Sequence, residues 1–315
     1  MHNVHDELVS VGYRERQRSR PGPWRDHRLA DTAFDPLVDE GRAERRLHVG
    51  FRCVRQLPGL SRRFSHYELT IRAYCGFMNV ERIEAASERP IVPIDVWSDV
   101  VCPWCYIGKR RFEAGLQEAI SAAGGDLGVD IEITYRPFQL DPTAAPGATG
   151  PVFDAYAKKF GGPKQAQAII DRVTVEAAAN GLELHMDQAL RANTLLAHRL
   201  IWWADQPDVL IEQGEIKERL LRAYFMEGRH IGDVEQLADL AAEVGADRAM
   251  VVTFLESDGG LDEVAADLRS AHENGITAVP TYVFNGEWAV PGAQDPAMFA
   301  KVLERLAQQA LAPTT

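Results

Sequence analysis

The stretch Ser98-Asp99-Val100-Val101-Cys102-Pro103-Trp104-Cys105-Tyr106-Ile107-Gly108 carries two cysteines one helical turn apart. It closes a β-rich, mostly apolar run over residues 91–101, which reads as a strand buried on both faces. Beyond it, Phe112, Leu116, Ala119 and Ile120 recur at helical spacing until Gly124-Gly125 ends the run. The C-x-x-C pair therefore falls where a strand gives way to a helix. A helix N-terminus offers unpaired backbone N–H groups and a partial positive charge. Cys102 is expected at the N-cap with its sulfur facing those donors, a setting that lowers a cysteine pKa to roughly 3.5–7.5. Pro103 suits the N1 position, where its missing N–H costs nothing. Cys105, one turn on, is placed to attack a mixed disulfide formed at Cys102. The pair reads as an attacking and a resolving thiol.

The same spacing is half of a zinc site, which needs two further Cys or His ligands. No second C-x-x-C and no paired histidines follow, and His185, His198, His230 and His272 are dispersed. No metal and no bound cofactor are expected; the redox-active disulfide itself is the reagent, with a low-molecular-weight thiol as a conceivable co-substrate.

Working outward, Val129, Ile131, Ile133 and Tyr135 alternate with Asp130, Glu132, Thr134 and Arg136, the period of a strand. That completes a βαβ unit. Residues 150–274 differ. Gly161-Gly162-Pro163, Gly181 and Gly245 punctuate helix-length segments with no convincing strand between them. Residues 189–204 and 233–244 are two of these, the latter with Asp233 as start and Gly245 as end. Strands return at 281–284 and 287–290 around Asn285-Gly286, a dipeptide suited to a type I′ turn. A last helix opens at Asp295-Pro296 and carries Phe299, Val302, Leu303 and Leu306 on one face.

Composition divides the chain. Residues 1–77 hold fourteen Arg, no Lys and ten Asp or Glu, a net charge of +4, whereas the remainder carries −16. The first part shows no sustained period. It reads as a disordered arm, a small extra domain, or sequence upstream of a natural start at Met78; the lack of pattern favours the last. Cys53 and Cys75 lie in it without metal-like spacing and read as incidental. The expected organisation is an extension over 1–90, an α/β domain from 91–149 and 275–315, and an inserted helical domain over 150–274. The overall charge of −12 argues against nucleic acid as a partner. No run of 18 or more apolar residues suggests a membrane span, and no signal-peptide pattern opens the chain, so a cytoplasmic location is expected.

These stretches resemble the DsbA family, and within it the FrnE-like cytoplasmic branch. Besides 98–108, the matching segments are Arg136-Pro137-Phe138-Gln139-Leu140, residues 193–200 (NTLLAHRL), Ala223-Tyr224-Phe225-Met226-Glu227-Gly228, residues 275–280 (GITAVP) and Gly292-Ala293-Gln294. The resemblance implies a thioredoxin fold with a helical insertion between its βαβ and ββα halves. It implies nucleophile and resolving roles for Cys102 and Cys105, with Pro103 and Trp104 completing the motif. Pro280, opening a strand after Val279, is compatible with a trans bond. Joined to the motif and the element order, it reads as the cis-proline that faces the C-x-x-C, with the Val279 backbone open to a partner peptide. DsbA itself has His where this chain has Trp104, so a less oxidising disulfide is expected here. The related 2-hydroxychromene-2-carboxylate isomerases and kappa-class glutathione transferases carry Ser in place of Cys102.

The leading functional expectation is an enzyme exchanging disulfides with protein or low-molecular-weight thiol substrates, of unassigned oligomeric state. The alternative is a glutathione-transferase or isomerase-like enzyme acting on a small aromatic or polyketide substrate. Its apolar pocket would be lined by Trp202, Trp203, Tyr224 and Phe225, although helix-spaced aromatics more often form core. Lys109, Arg110 and Arg111 offer cations beside the motif, with a solvated helix face as the commoner outcome. Gln294 is placed near the site on resemblance alone.

Overall fold

Strand β2 (Ile91–Ser98) is hydrogen-bonded along both edges. The computed structural model describes residues 89–312 together with a two-residue strand, β1 (Val9–Ser10). The rest of the extension expected over 1–90, with Cys53, Cys75 and Met78, lies outside the described residues. β2 runs parallel to β3 (Asp130–Pro137), with Ile94 opposite Ile133, and antiparallel to β4 (Thr281–Phe284), with Ile94 opposite Phe284. β5 (Trp288–Pro291) pairs antiparallel with β4, and β1 with β5, giving the order β1-β5-β4-β2-β3.

Helix α1 (Pro103–Ala122) links β2 to β3. Seven helices separate β3 from β4: α2 (Val152–Phe160), α3 (Pro163–Ala179), α4 (Leu195–Ala204), α5 (Gln213–Met226), α6 (Val234–Glu243), α7 (Arg248–Glu256) and α8 (Leu261–Glu273). α9 (Pro296–Leu311) follows β5. This is the expected α/β architecture, a thioredoxin fold whose βαβ and ββα halves are separated by helices.

β2 differs from its expectation in two ways. It alternates rather than being buried throughout, with Ile91 57% exposed. Val92, Ile94 and Val96 pack with Phe112, Phe299 and Leu303 beneath α1 and α9, while Trp97 packs with Val283, Ala271 and Ile276. The strand also stops at Ser98, because the Cys102 N–H turns back to the Asp99 carbonyl at 3.3 Å. The helix expected over 189–204 begins only at Leu195. Asn193 bonds the Leu195 N–H through its side-chain oxygen (2.9 Å), a local turn that competes with helix, and Val152 bonds the Ala189 carbonyl (2.9 Å). The other boundaries fall as the caps suggest. Asp233 accepts the Gln236 N–H at 3.0 Å, and Asn285 and Gly286 both have positive φ (52° and 68°).

All four apolar residues named for α9 are buried, each contributing roughly 1.5–3 kcal/mol of transfer free energy. They meet α1 at Gly115, where a β-carbon would lie 2.5 Å from the Pro296 carbonyl oxygen and 2.7 Å from Phe299 Cβ. Backbone and packed ring cannot yield there cheaply. Gly115→Val is expected to lower unfolding stability by about 1–3 kcal/mol in urea titration, as overpacked cores do; a midpoint equal to wild type would show that α1 and α9 separate freely.

Candidate active site

Cys102 stands at the N-cap of α1 with extended backbone (φ −93°, ψ 111°), and Pro103 follows in the first turn. The Cys105 N–H donates to the Cys102 carbonyl at 3.0 Å, which fixes the two residues one turn apart. Both are buried, unpaired thiols. In one respect the geometry departs from expectation: the Cys102 side chain makes no capping bond to the helix. Its sulfur lies 3.7 Å from the Val279 carbonyl oxygen instead.

That carbonyl precedes a cis peptide bond, Val279–Pro280. The Pro280 carbonyl accepts the Gly292 N–H at 2.7 Å, tying it to the end of β5. On its other side Pro280 rests on α1, since a β-carbon at Gly108 would stand 2.8 Å from its ring and 2.9 Å from the Tyr282 hydroxyl. Only glycine permits this approach of α1 to β4. Cys102, Cys105, Val279 and Pro280 are thus gathered from opposite ends of the patterned chain. Trp104, half-buried, packs on the helical core, and Gln294 bonds back to the Pro291 carbonyl at 2.7 Å.

The turn bearing Cys102 is anchored by Asp99, whose carboxylate is wholly buried. It accepts the Leu140 N–H (2.8 Å) and faces His198 Nε2 (3.2 Å), which also donates to the Phe138 carbonyl (2.9 Å). His198, one of four histidines read as dispersed, is therefore a core partner of the site. Among the described residues no three His, Cys, Asp or Glu cluster as metal ligands.

Cys105 looks inward. It lines a cavity of about 10 Å³ with Ser98, Lys109, Tyr135, Lys217 and Tyr282, among apolar walls. Burial pushes the Cys105 thiol well up, and the neighbouring Cys102 adds to the rise; Lys217 and a backbone hydrogen bond from Asp99 act the other way. Burial likewise lifts the Tyr135 phenol to about 12. Lys217 was missed in the sequence. Its signal was its phase: it shares the face of Leu220, Leu221 and Tyr224 on α5, three, four and seven positions on.

The cations after the motif do not form a solvated face. Lys109 and Arg110 both pair with Glu113 and Glu218, and Tyr106 donates to Glu218 at 2.8 Å. Arg111 pairs with Glu176 and donates to the Ala293 carbonyl at 2.7 Å. Of the four aromatics considered for a substrate pocket, Tyr224 and Phe225 are fully buried, and the half-buried Trp202 and Trp203 pack on Phe254.

A family model, the DSBA-like thioredoxin domain, matches residues 93–304. The uncharacterized Bacillus subtilis protein YwbO is 33% identical over 213 residues, covering 67% of this chain and 96% of its own. The crystal structure of a probable DsbA oxidoreductase from Streptomyces coelicolor is similar at a TM-score of 0.61 and 33% identity, across 71% of this chain and 93% of that one. A candidate protein disulfide isomerase from Nitrosomonas europaea shares the fold at a TM-score of 0.51 and 16% identity, over 71% of this chain and 100% of that one.

Burial works to raise the pKa of Glu218, but its bonds to Arg110, Lys109 and Tyr106 outweigh that and hold the carboxyl below its ordinary 4.5. A group depressed in the folded state stabilises above its unfolded pKa, and that contribution is lost as pH falls through the lower folded value. Glu218→Gln is therefore expected to flatten the acid limb of the stability curve below about pH 5. Denaturant midpoints across pH check this; an unaltered acid limb would remove Glu218 as the α1–α5 tie.

Proposed function

This chain belongs to the DSBA-like thioredoxin domain family, and on that premise we propose that it is a dithiol–disulfide oxidoreductase in which Cys102 attacks and Cys105 resolves. The observation that carries the reading is the pair of unpaired thiols at the start of α1, with the Val279 carbonyl 3.7 Å from the Cys102 sulfur. The Cys102 thiolate attacks a disulfide R–S–S–R′, forming Cys102–S–S–R′ and releasing RS⁻. Cys105 then attacks the Cys102 sulfur, closing the intramolecular disulfide and releasing R′S⁻; the reverse sequence oxidises a dithiol substrate. An extended substrate segment finds backbone partners at Val279 beside the sulfur it presents, which supports protein as well as small-molecule substrates.

Trp104 in the third motif position supports the FrnE-like branch and a potential less oxidising than that of DsbA. The cytoplasm is the compartment proposed with it. Among the described residues no helix is long and apolar enough to cross a membrane. The isomerase-like alternative drew on an aromatic pocket, and those four side chains are engaged in packing.

Cys102→Ser is expected to reduce insulin-disulfide reduction to background, while Cys105→Ser accumulates a covalent mixed disulfide with substrate; undiminished turnover by Cys102→Ser would sink the proposal. Thiol-dependent isomerisation surviving that change would favour the alternative. The potential of the pair assigns direction: a value near about −270 mV marks a reductase and one near about −120 mV an oxidase.

A further inference from the structure

Lys217 is a buried lysine with 1% of its surface exposed, brought by α5 to the cavity that Cys105 lines. Among the described residues no carboxylate lies within ion-pair distance of it. Lys109, in the same lining, holds Glu113 and Glu218 and is thereby committed to its charge. The remaining groups that face Lys217 are few. α1 supplies Cys105 and Lys109; β3 supplies the Tyr135 ring, 5.8 Å from its Nζ; β4 supplies Tyr282; the turn after β2 supplies Asp99 and Cys102. Tyr282 and Ser98 bring hydroxyls into the same cavity that find no hydrogen-bond partner. A mechanism of the kind proposed above leaves this lysine unused, yet burying an ammonium without a counter-ion is among the costliest arrangements available to a fold.

We propose that Lys217 is the proton acceptor of the resolving step, taking the proton of the Cys105 thiol within the cavity that both side chains line. This rests on the exchange reading, which supplies the step. In the mixed disulfide Cys102–S–S–R, the reaction is Cys105–SH plus Lys217–NH₂ giving Cys105–S⁻ plus Lys217–NH₃⁺. The thiolate attacks the Cys102 sulfur, the Cys102–S–R bond breaks, and RS⁻ takes up the proton that Lys217 gives back. Overall, Cys102–S–S–R and Cys105–SH become the intramolecular disulfide and RSH.

Two features suit the amine to this. Burial lowers the Lys217 pKa, with Cys105, Asp99 and Cys102 pulling against that shift. The charge of Cys102, which raises the Cys105 pKa in the free dithiol, is gone once Cys102 is bonded to substrate. Bonding Cys102 to substrate thus removes a charge that opposes ionisation of Cys105 at the stage that needs it.

The test uses the reduced full-length protein and an aromatic disulfide whose released thiolate is coloured. Attack by Cys102 releases one equivalent and resolution by Cys105 a second. For Lys217→Met, an apolar side chain of similar length, the ratio of second-phase to first-phase rate at neutral pH should fall on the order of 10²-fold. Its pH midpoint should move upward. An unchanged ratio and midpoint would overturn the role of Lys217, whereas absence of the second phase in wild type would overturn the exchange reading itself. Should the variant fold poorly, NMR titration of the Lys217 ε-methylene in wild type decides. The amine should titrate at lower pH in the disulfide form than in the dithiol form, because the Cys102 charge that favours the ammonium is then absent; equal values in both forms overturn the proposal.

Discussion

A carboxylate withdrawn from water must find donors, and Asp99 finds them in two places outside its own turn. It accepts the Leu140 N–H from the loop after β3 and faces His198 from α4, with His198 also held by the Phe138 carbonyl. The four-residue turn from Asp99 to Cys102 is thereby joined to the loop after β3 on one side and to α4 on the other. Remove that requirement and the entry angle of α1 is set by local turn preference alone. This buried acid ties down the turn from which both sulfurs are carried.

The α1–α5 contact shows how similar side chains acquire different chemistry. Lys109 and Lys217 both line the cavity beside Cys105. Burial would lower the Lys109 pKa, but Tyr135 and the bonds to Glu113 and Glu218 together outweigh it, so its charge is reinforced. Lys217 has burial without such partners, and its pKa moves the opposite way. The same interface also seats Tyr106 and Arg110 on Glu218, so the carboxylate that fastens the helices together leaves one amine free to exchange protons.

Much of the frame was legible because its signals are short. Gly124-Gly125 ends α1, Asn285-Gly286 turns β4 into β5, and Asp295-Pro296 opens α9, each through backbone preferences of two adjacent residues. Residues 189–194 misled because their apolar spacing continues that of α4, while Asn193 offers the backbone a competing bond that periodicity does not register. For Lys109, Arg110 and Arg111 a solvated face was the commoner of two expectations, because a charge run takes that place in most helices. Their partners Glu176 and Glu218 come from other segments.

By itself the sequence determined that Cys102 and Cys105 stand one turn apart where a strand meets a helix, since an apolar run precedes them, Pro103 suits a first helical turn and helical spacing follows. It also determined the βαβ–helices–ββα order. Tertiary structure decided what surrounds those sulfurs. Val279 reaches Cys102 across 177 residues of chain, and Glu218 reaches Tyr106 across 112. No local preference encodes such distances; they follow from packing α1 between the sheet, α9 and α5, where Gly108 and Gly115 let backbone and ring approach. The place of Lys217 beside Cys105 belongs to the same class, because a lysine on an apolar helix face is an anomaly in sequence and becomes a proton acceptor only against a buried thiol.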